Sequence, residues 1–236
     1  MTSMSSSEWD RLLDSIPLEK DPIDDTQVLE QDYVPDIDEV TGENFEWFEE
    51  EVTDEGIEAQ NRSMLRRQKH FRLAADYITG ELKKIEWVER VALFGSVAHP
   101  LKKEVPRFQP YRRERKRVWH ECMDLDIAVW VRSIEKLNDI RRARLQGLAA
   151  LQKEHQGIGE VAHHQVDIFF LEPGTNRFLG NLCNYGQCPK ADKRECRSDI
   201  CGMAPFLKIY ENFSLYAAAL TGSRLLYDNP SADRSE

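Results

Sequence analysis

The sequence predicts an α/β protein: a small mixed β-sheet with flanking helices, preceded by a disordered acidic N-terminal tail. Three observations predict it. Short, strongly apolar runs at 87–94, 124–131 and 160–171 have strand length and are rich in Val, Ile and Phe. Longer segments with apolar residues three and four apart alternate with them. Residues 1–58 carry 20 Asp and Glu against only Arg11 and Lys20, a net of −18, whereas residues 59–236 carry 22 acidic and 30 basic residues, a net of +8, which together give −10.

The elements follow in order. Residues 1–58 are too polar to bury enough apolar surface to offset ordering entropy, and read as a leader. Two aromatic islands interrupt them, Trp9 with Leu12, Leu13 and Ile16, and Phe45 with Trp47 and Phe48. The leader is either solvated, or its islands dock on the protein's own basic face or on a partner. Residues 59–236 form one domain. A helix is expected from Arg62 to about Glu86, on the spacing of Leu65, Leu73, Ala74, Tyr77, Ile78, Leu82 and Ile85. The first strand ends in a Gly95-Ser96 turn. A basic insertion, 99–120, follows, and Pro106 and Pro110 mark it as largely loop. A second helix is expected over Ser133–His155, and a third over Phe206–Leu220 with Pro205 near its first turn. Leu225-Leu226-Tyr227 reads as a closing strand after Gly222.

The candidate chemistry lies at strand edges. Asp124 and Asp126 are one residue apart, so on a strand they share a face, about 7 Å apart. Asp167 opens the third strand in a similar apolar setting. Were the two strands neighbours in register, three carboxylates would converge. They would repel one another and take up protons unless cations neutralised them. Two Mg²⁺ ions about 4 Å apart would do so, and would clamp a triphosphate. Gly95 lets backbone approach a phosphate, and Ser96 adds a hydroxyl and an amide.

In that order, Leu93-Phe94-Gly95-Ser96-Val97-Ala98, Met123-Asp124-Leu125-Asp126-Ile127-Ala128-Val129 and Val166-Asp167-Ile168 resemble the DNA polymerase β-like nucleotidyltransferase superfamily, in particular its minimal branch. The resemblance spans roughly residues 62–171, with a weaker echo at Gly222–Tyr227. It implies that Asp124 and Asp126 bind two Mg²⁺ ions and that Asp167 completes the site and helps activate an acceptor hydroxyl. It further implies that Gly95 and Ser96 hold the β- and γ-phosphates of an NTP such as ATP. The products would be a nucleotidylated acceptor and pyrophosphate. The acceptor would be an RNA 3′ end, a protein side chain or a small molecule. The other reading is a non-catalytic, antitoxin-like module that binds nucleotide, RNA or a partner on the same fold. The chain departs from the family pattern in the 27 residues (97–123) between turn and Asp-x-Asp, in His99-Pro100 after the turn, and in Met123 before the first aspartate.

The insertion concentrates Arg112, Arg113, Arg115, Lys116 and Arg117 near Phe108, Tyr111 and Trp119. Such a segment suits a polyanion, through backbone contacts and stacking. It also fits a solvated loop, or a docking place for the acidic leader. Because it leaves the turn and returns to the Asp-x-Asp strand, its tip is expected beside the site. In the Cys-rich segment 181–203, Cys183, Cys188, Cys196 and Cys201 are candidates for a structural Zn²⁺, or are plain thiols. Cys122 reads as packing, and His163 as a structural histidine on the face of Asp167. An odd cysteine count of five, the absence of a membrane-length apolar run and the absence of a secretion signal lead to an expectation of a cytoplasmic protein that does not enter a membrane.

Overall fold

The structure is a computed structural model, and it describes residues 4–18, 52–108, 110–155, 161–185, 188, 201–209 and 220–229. It is a mixed α/β fold. Among these residues the helices are α1 (Ser6–Ser15), α2 (Asp54–Leu82) and α3 (Leu137–Glu154). The strands are β1 (Val88–Phe94), β2 (Lys103–Glu104), β3 (Val118–Trp119), β4 (Leu125–Val131), β5 (Val166–Leu171), β6 (Phe178–Leu182), β7 (Leu207–Lys208) and β8 (Arg224–Asp228). No helix among the described residues is long and apolar enough to cross a membrane.

Six strands form one sheet in the order β7-β6-β5-β4-β1-β8. The β4–β5 pair is parallel, and the other described pairings are antiparallel. Parallel neighbours need a crossover, and α3 supplies it. Helices α2 and α3 cover one face, packing Ala75, Ile78, Leu82, Ile140 and Leu151 on Val91, Leu93, Ile127, Val129, Ile168 and Phe170. The other face carries a smaller cluster of Ala92, Phe94, Ala128, Trp130, Phe169 and Leu171. Asp126 and Asp167 are in phase with that second set, two residues before Ala128 and Phe169, so they lie on the face away from the helices.

Helix α2 begins eight residues earlier than the apolar spacing predicts. Thr53 caps it, its side chain accepting from the Gly56 amide at 3.1 Å, and Asp54 and Glu55 favour the first turn. Strand β5 begins at Val166 rather than Glu160, because His163–Gln165 form a 3-10 turn held by the Ala162 amide donating to Gln165 Oε1. The helix expected over Phe206–Leu220 is not present at its start. Phe206 has a φ of 63°, its carbonyl accepts from the Cys183 amide at 2.8 Å, and Leu207–Lys208 pair with β6. Residues 210–219 of that expected helix lie outside the described residues.

The leader also differs from expectation where it is described. Ser6–Ser15 form an amphipathic helix with a capping box between Ser5 and Glu8. Ten residues are too few for a stable isolated helix, so docking is what holds it. Trp9 and Leu13 are buried in the main core, and Trp9 packs edge-on against Trp119 at 5.1 Å between ring centroids. Lys69 donates to the carbonyls of Asp14 in α1 and of Ile16 just after it, His70 donates to that of Leu18, and Arg72 pairs with Asp10. The first island therefore docks on the chain's own basic residues, those of α2. The second island, Phe45 to Phe48, lies outside the described residues.

Two changes test this packing. A Cβ on Gly147 would stand 2.6 Å from Ile78 Cα, backbone that cannot yield without separating α3 from α2. Gly147→Ala is expected to cost about 1–3 kcal/mol despite its better helix propensity, read as a lower urea midpoint. Trp9→Ala is expected to cost about 3–5 kcal/mol, against almost nothing for a residue in a solvated tail.

Candidate active site

The carboxylates are brought together by register. Asp126 of β4 lies directly opposite Asp167 of β5 in the parallel ladder, flanked by the pairs Leu125–Val166 and Ile127–Ile168. Both are half-buried. Asp124 stands just before β4 and is exposed. Phe94, the last residue of β1, pairs with Asp126 from the other side, so the Gly95-Ser96 turn begins beside that carboxylate. Gly95 has a φ of 71°, and a Cβ there would overlap Asp126 Oδ2. Only glycine lets this backbone lie against the carboxylate.

The electrostatics follow from the register. Burial, then the charges of Asp167 and Asp124, push Asp126 up to about 7. Burial and Asp124 raise Asp167 as well, while Lys208, Arg144 and a hydrogen bond from Asn184 pull it down. Arg144 is almost completely buried on α3, and burial lowers its own pKa to about 10. Its guanidinium donates to the Val166 carbonyl and to Asn184 Oδ1. A chain thus runs from Arg144 through Asn184 to Asp167, fixing that carboxylate from behind. In the sequence Arg144 is one of several arginines within the helix expected over Ser133–His155, and Asn184 and Lys208 carry no signal of their own. Their role arises only once β6 and β7 pair beside β5.

The turn is held from the helix side. Ser96–Ala98 form one 3-10 turn, and the Ser96 side chain bonds with the buried thiol of Cys122. Gln68 Nε2 donates to the carbonyls of Ser96 and Val97 at 3.2 Å each and of His99 at 2.6 Å. Arg72 Nε donates to the Val97 carbonyl at 2.9 Å.

Three aspartates with oxygen donors suit a hard cation such as Mg²⁺, and their mutual repulsion is what a cation would relieve. Among the described residues, however, no three His, Cys, Asp or Glu side chains are already gathered as a metal-holding group. Asp124, Asp126 and Asp167 are neighbours by charge and register rather than a closed cage. The same holds for the cysteines. Cys183, Cys188 and Cys201 are thiols that form no such group, Cys188 Sγ accepts from the Phe206 amide at 3.3 Å, and Cys196 lies outside the described residues. Cys122 is buried in the core as packing. His163 is exposed in the 3-10 turn, off the strand on which it was expected.

The basic insertion is tied at its base by the β2–β3 ladder. Its tip is not beside the carboxylates. The Tyr111 hydroxyl lies against Gly56, and Glu114 accepts from the Val52 amide, so the tip packs at the start of α2. At 1.5 Å per residue, Gly56 is about 18 Å along the helix from Gln68. Arg112, Arg113 and Arg115 are exposed there. Lys116 pairs with Glu114, and Arg117 donates to the Lys103 carbonyl. The acidic side chain that α1 commits, Asp10, meets Arg72 and not an insertion arginine.

The raised proton affinity of Asp126 gives a signed expectation for metal-free protein. Its unfolded value is that of an ordinary aspartate, near 4, and its folded value is about 7. Across that window the folded state keeps a proton that the unfolded state has lost, so stability falls as pH rises and the cost is complete above 7. In chelator, Asp126→Asn is expected to match the parent near pH 4 and to exceed it by on the order of 1–3 kcal/mol at pH 8. Equal denaturation midpoints at pH 8 would refute the strain.

Family models, curated proteins and solved structures were compared with the chain, and none of them matches it.

Proposed function

We propose that the chain is a nucleotidyltransferase of the polymerase β-like type. The reading is supported above all by one observation: Asp126 and Asp167 are paired across parallel strands, with Gly95 pressed against the Asp126 carboxylate. In this reading the Gly95–Ala98 turn receives the β- and γ-phosphates of an NTP through backbone amides. Asp124, Asp126 and Asp167 would hold two Mg²⁺ ions, which would supply charge neutralisation at the triphosphate. An acceptor hydroxyl oxygen bonds to the α-phosphorus while the bond to the bridging oxygen of the β-phosphate breaks. Pyrophosphate leaves with that electron pair, and Asp167 takes the hydroxyl proton. The Arg144–Asn184 chain opposes the rise in Asp167 proton affinity that burial and Asp124 cause.

The insertion bears on the acceptor. Exposed arginines about 18 Å along α2 from the turn are too far for a small acceptor and suit an extended polyanion such as RNA. A second reading, a non-catalytic module that binds nucleotide, RNA or a partner, is favoured by the carboxylates not being gathered as a metal group.

Incubation with each labelled NTP, Mg²⁺ and total RNA or cell extract separates the two. Label is expected to move to an acceptor with release of pyrophosphate, and Asp126→Asn is expected to lower the rate at least about 100-fold. Nucleotide binding without transfer, unchanged in Asp126→Asn, would leave the binding module standing.

A further inference from the structure

We infer that α1 and two side chains of α2 act together as a clamp that shapes the phosphate-binding turn, making Gln68 and Arg72 positioning residues for the nucleotide. The inference rests on the proposed function for what the turn binds, but the clamp itself rests on geometry.

The turn after β1 has a steric problem and an electrostatic one. Gly95 lies against a carboxylate, and the next carbonyls would repel a phosphate if they faced it. They do not face it. Gln68 takes up the carbonyls of Ser96, Val97 and His99, and Arg72 takes up those of Val97 and Ala98. Four successive carbonyls are thereby drawn toward α2. In a trans peptide the carbonyl and the following N–H point opposite ways. The His99–Pro100 plane carries no N–H, and the Ala98 amide donates to the Gly95 carbonyl at 3.2 Å. Drawing the Ser96 and Ala98 carbonyls to the helix turns the amides of Val97 and His99 away from it, the orientation an anion-binding turn requires.

The two α2 side chains are set in turn by α1. A glutamine amide can present either its oxygen or its nitrogen to a group of carbonyls, and only the nitrogen donates. Trp9 Nε1 donates to Gln68 Oε1 at 2.9 Å, which commits the oxygen and leaves Nε2 for the turn. Gln68 is fully buried, so the wrong orientation would set oxygen against oxygen without water to relieve it. Asp10 holds one arm of Arg72, leaving Nε and the other arm to the turn. Residues of α1, some sixty positions before Gln68 and Arg72 in sequence, therefore decide how the turn presents itself.

Two conservative variants of the full chain test the clamp. Trp9→Phe keeps the ring but removes the N–H that orients Gln68. Gln68→Glu keeps the shape but sets a carboxylate oxygen against the turn carbonyls. Both are measured for binding of each Mg·NTP, for binding of Mn²⁺ alone, and for KM and kcat in the transfer assay. The expected result is about tenfold weaker nucleotide binding and a higher KM with little change in kcat. Mn²⁺ affinity should stay within about twofold, because the carboxylates are fixed by sheet register rather than by α1. Unchanged nucleotide affinity in both folded variants would overturn the clamp while leaving the proposed function intact. An equal loss of Mn²⁺ affinity would also overturn it, since the effect would then be a general loosening. A parent protein that binds Mn²⁺ but no nucleotide would overturn the reading of the turn, and the clamp's role with it.

Discussion

Placing Asp126 opposite Asp167 across a parallel strand pair is the constraint on which the rest of the molecule depends. Side chains alternate, so a slip of one residue would send one of the two carboxylates into the core beneath α2 and α3. The register is defended on that face by Leu125, Ile127, Val166 and Ile168, all buried. It is defended again by the crossover, because α3 can approach α2 only through the missing side chain of Gly147. The apolar half of the sheet thus does the positioning, and the charged half inherits it.

Around that pair, charge is compensated unevenly. Asp167 has a buried arginine behind it and Lys208 nearby, whereas Asp126 has glycine backbone on one side and carboxylates on the others. Two aspartates of one type are thereby driven toward different proton affinities by their surroundings. Such divergence is what a site needs when neighbouring carboxylates perform different tasks. It also leaves a concentration of negative charge where the two central strands begin, which a phosphate would not approach without cations.

Much of this was legible in the residues. Strands such as Val88–Phe94 and Leu125–Val131 announce themselves by apolar runs of the right length, and the Asp-x-Asp and Gly-Ser signals sit at their ends. What was not legible depends on distant partners. Trp9 reads as an island in a polar leader until Gln68 and Trp119 are known to receive it. Arg144 is a charged residue on an amphipathic helix until β6 brings Asn184 to its guanidinium. Phe206 follows a proline as helix starts often do, yet its positive φ and its bond to Cys183 are imposed by pairing with β6. The insertion's length says that it leaves the turn and returns, but only the contacts of Tyr111 and Glu114 say that it travels to the far end of α2.

The docking of α1 divides the molecule into tiers of different durability. The carboxylates belong to strands with neighbours on both sides and helices beneath, so freeing them means unfolding the sheet. Helix α1 is short and rests chiefly on α2 and Trp119, and the free energy to lift it away is a local quantity, smaller than that of global unfolding. Excursions that detach it leave the sheet standing and release Gln68 and Arg72 from their orienting partners. The Asp126–Asp167 pair is thus as durable as the domain, and the orientation of the turn after Gly95 only as durable as one amphipathic helix.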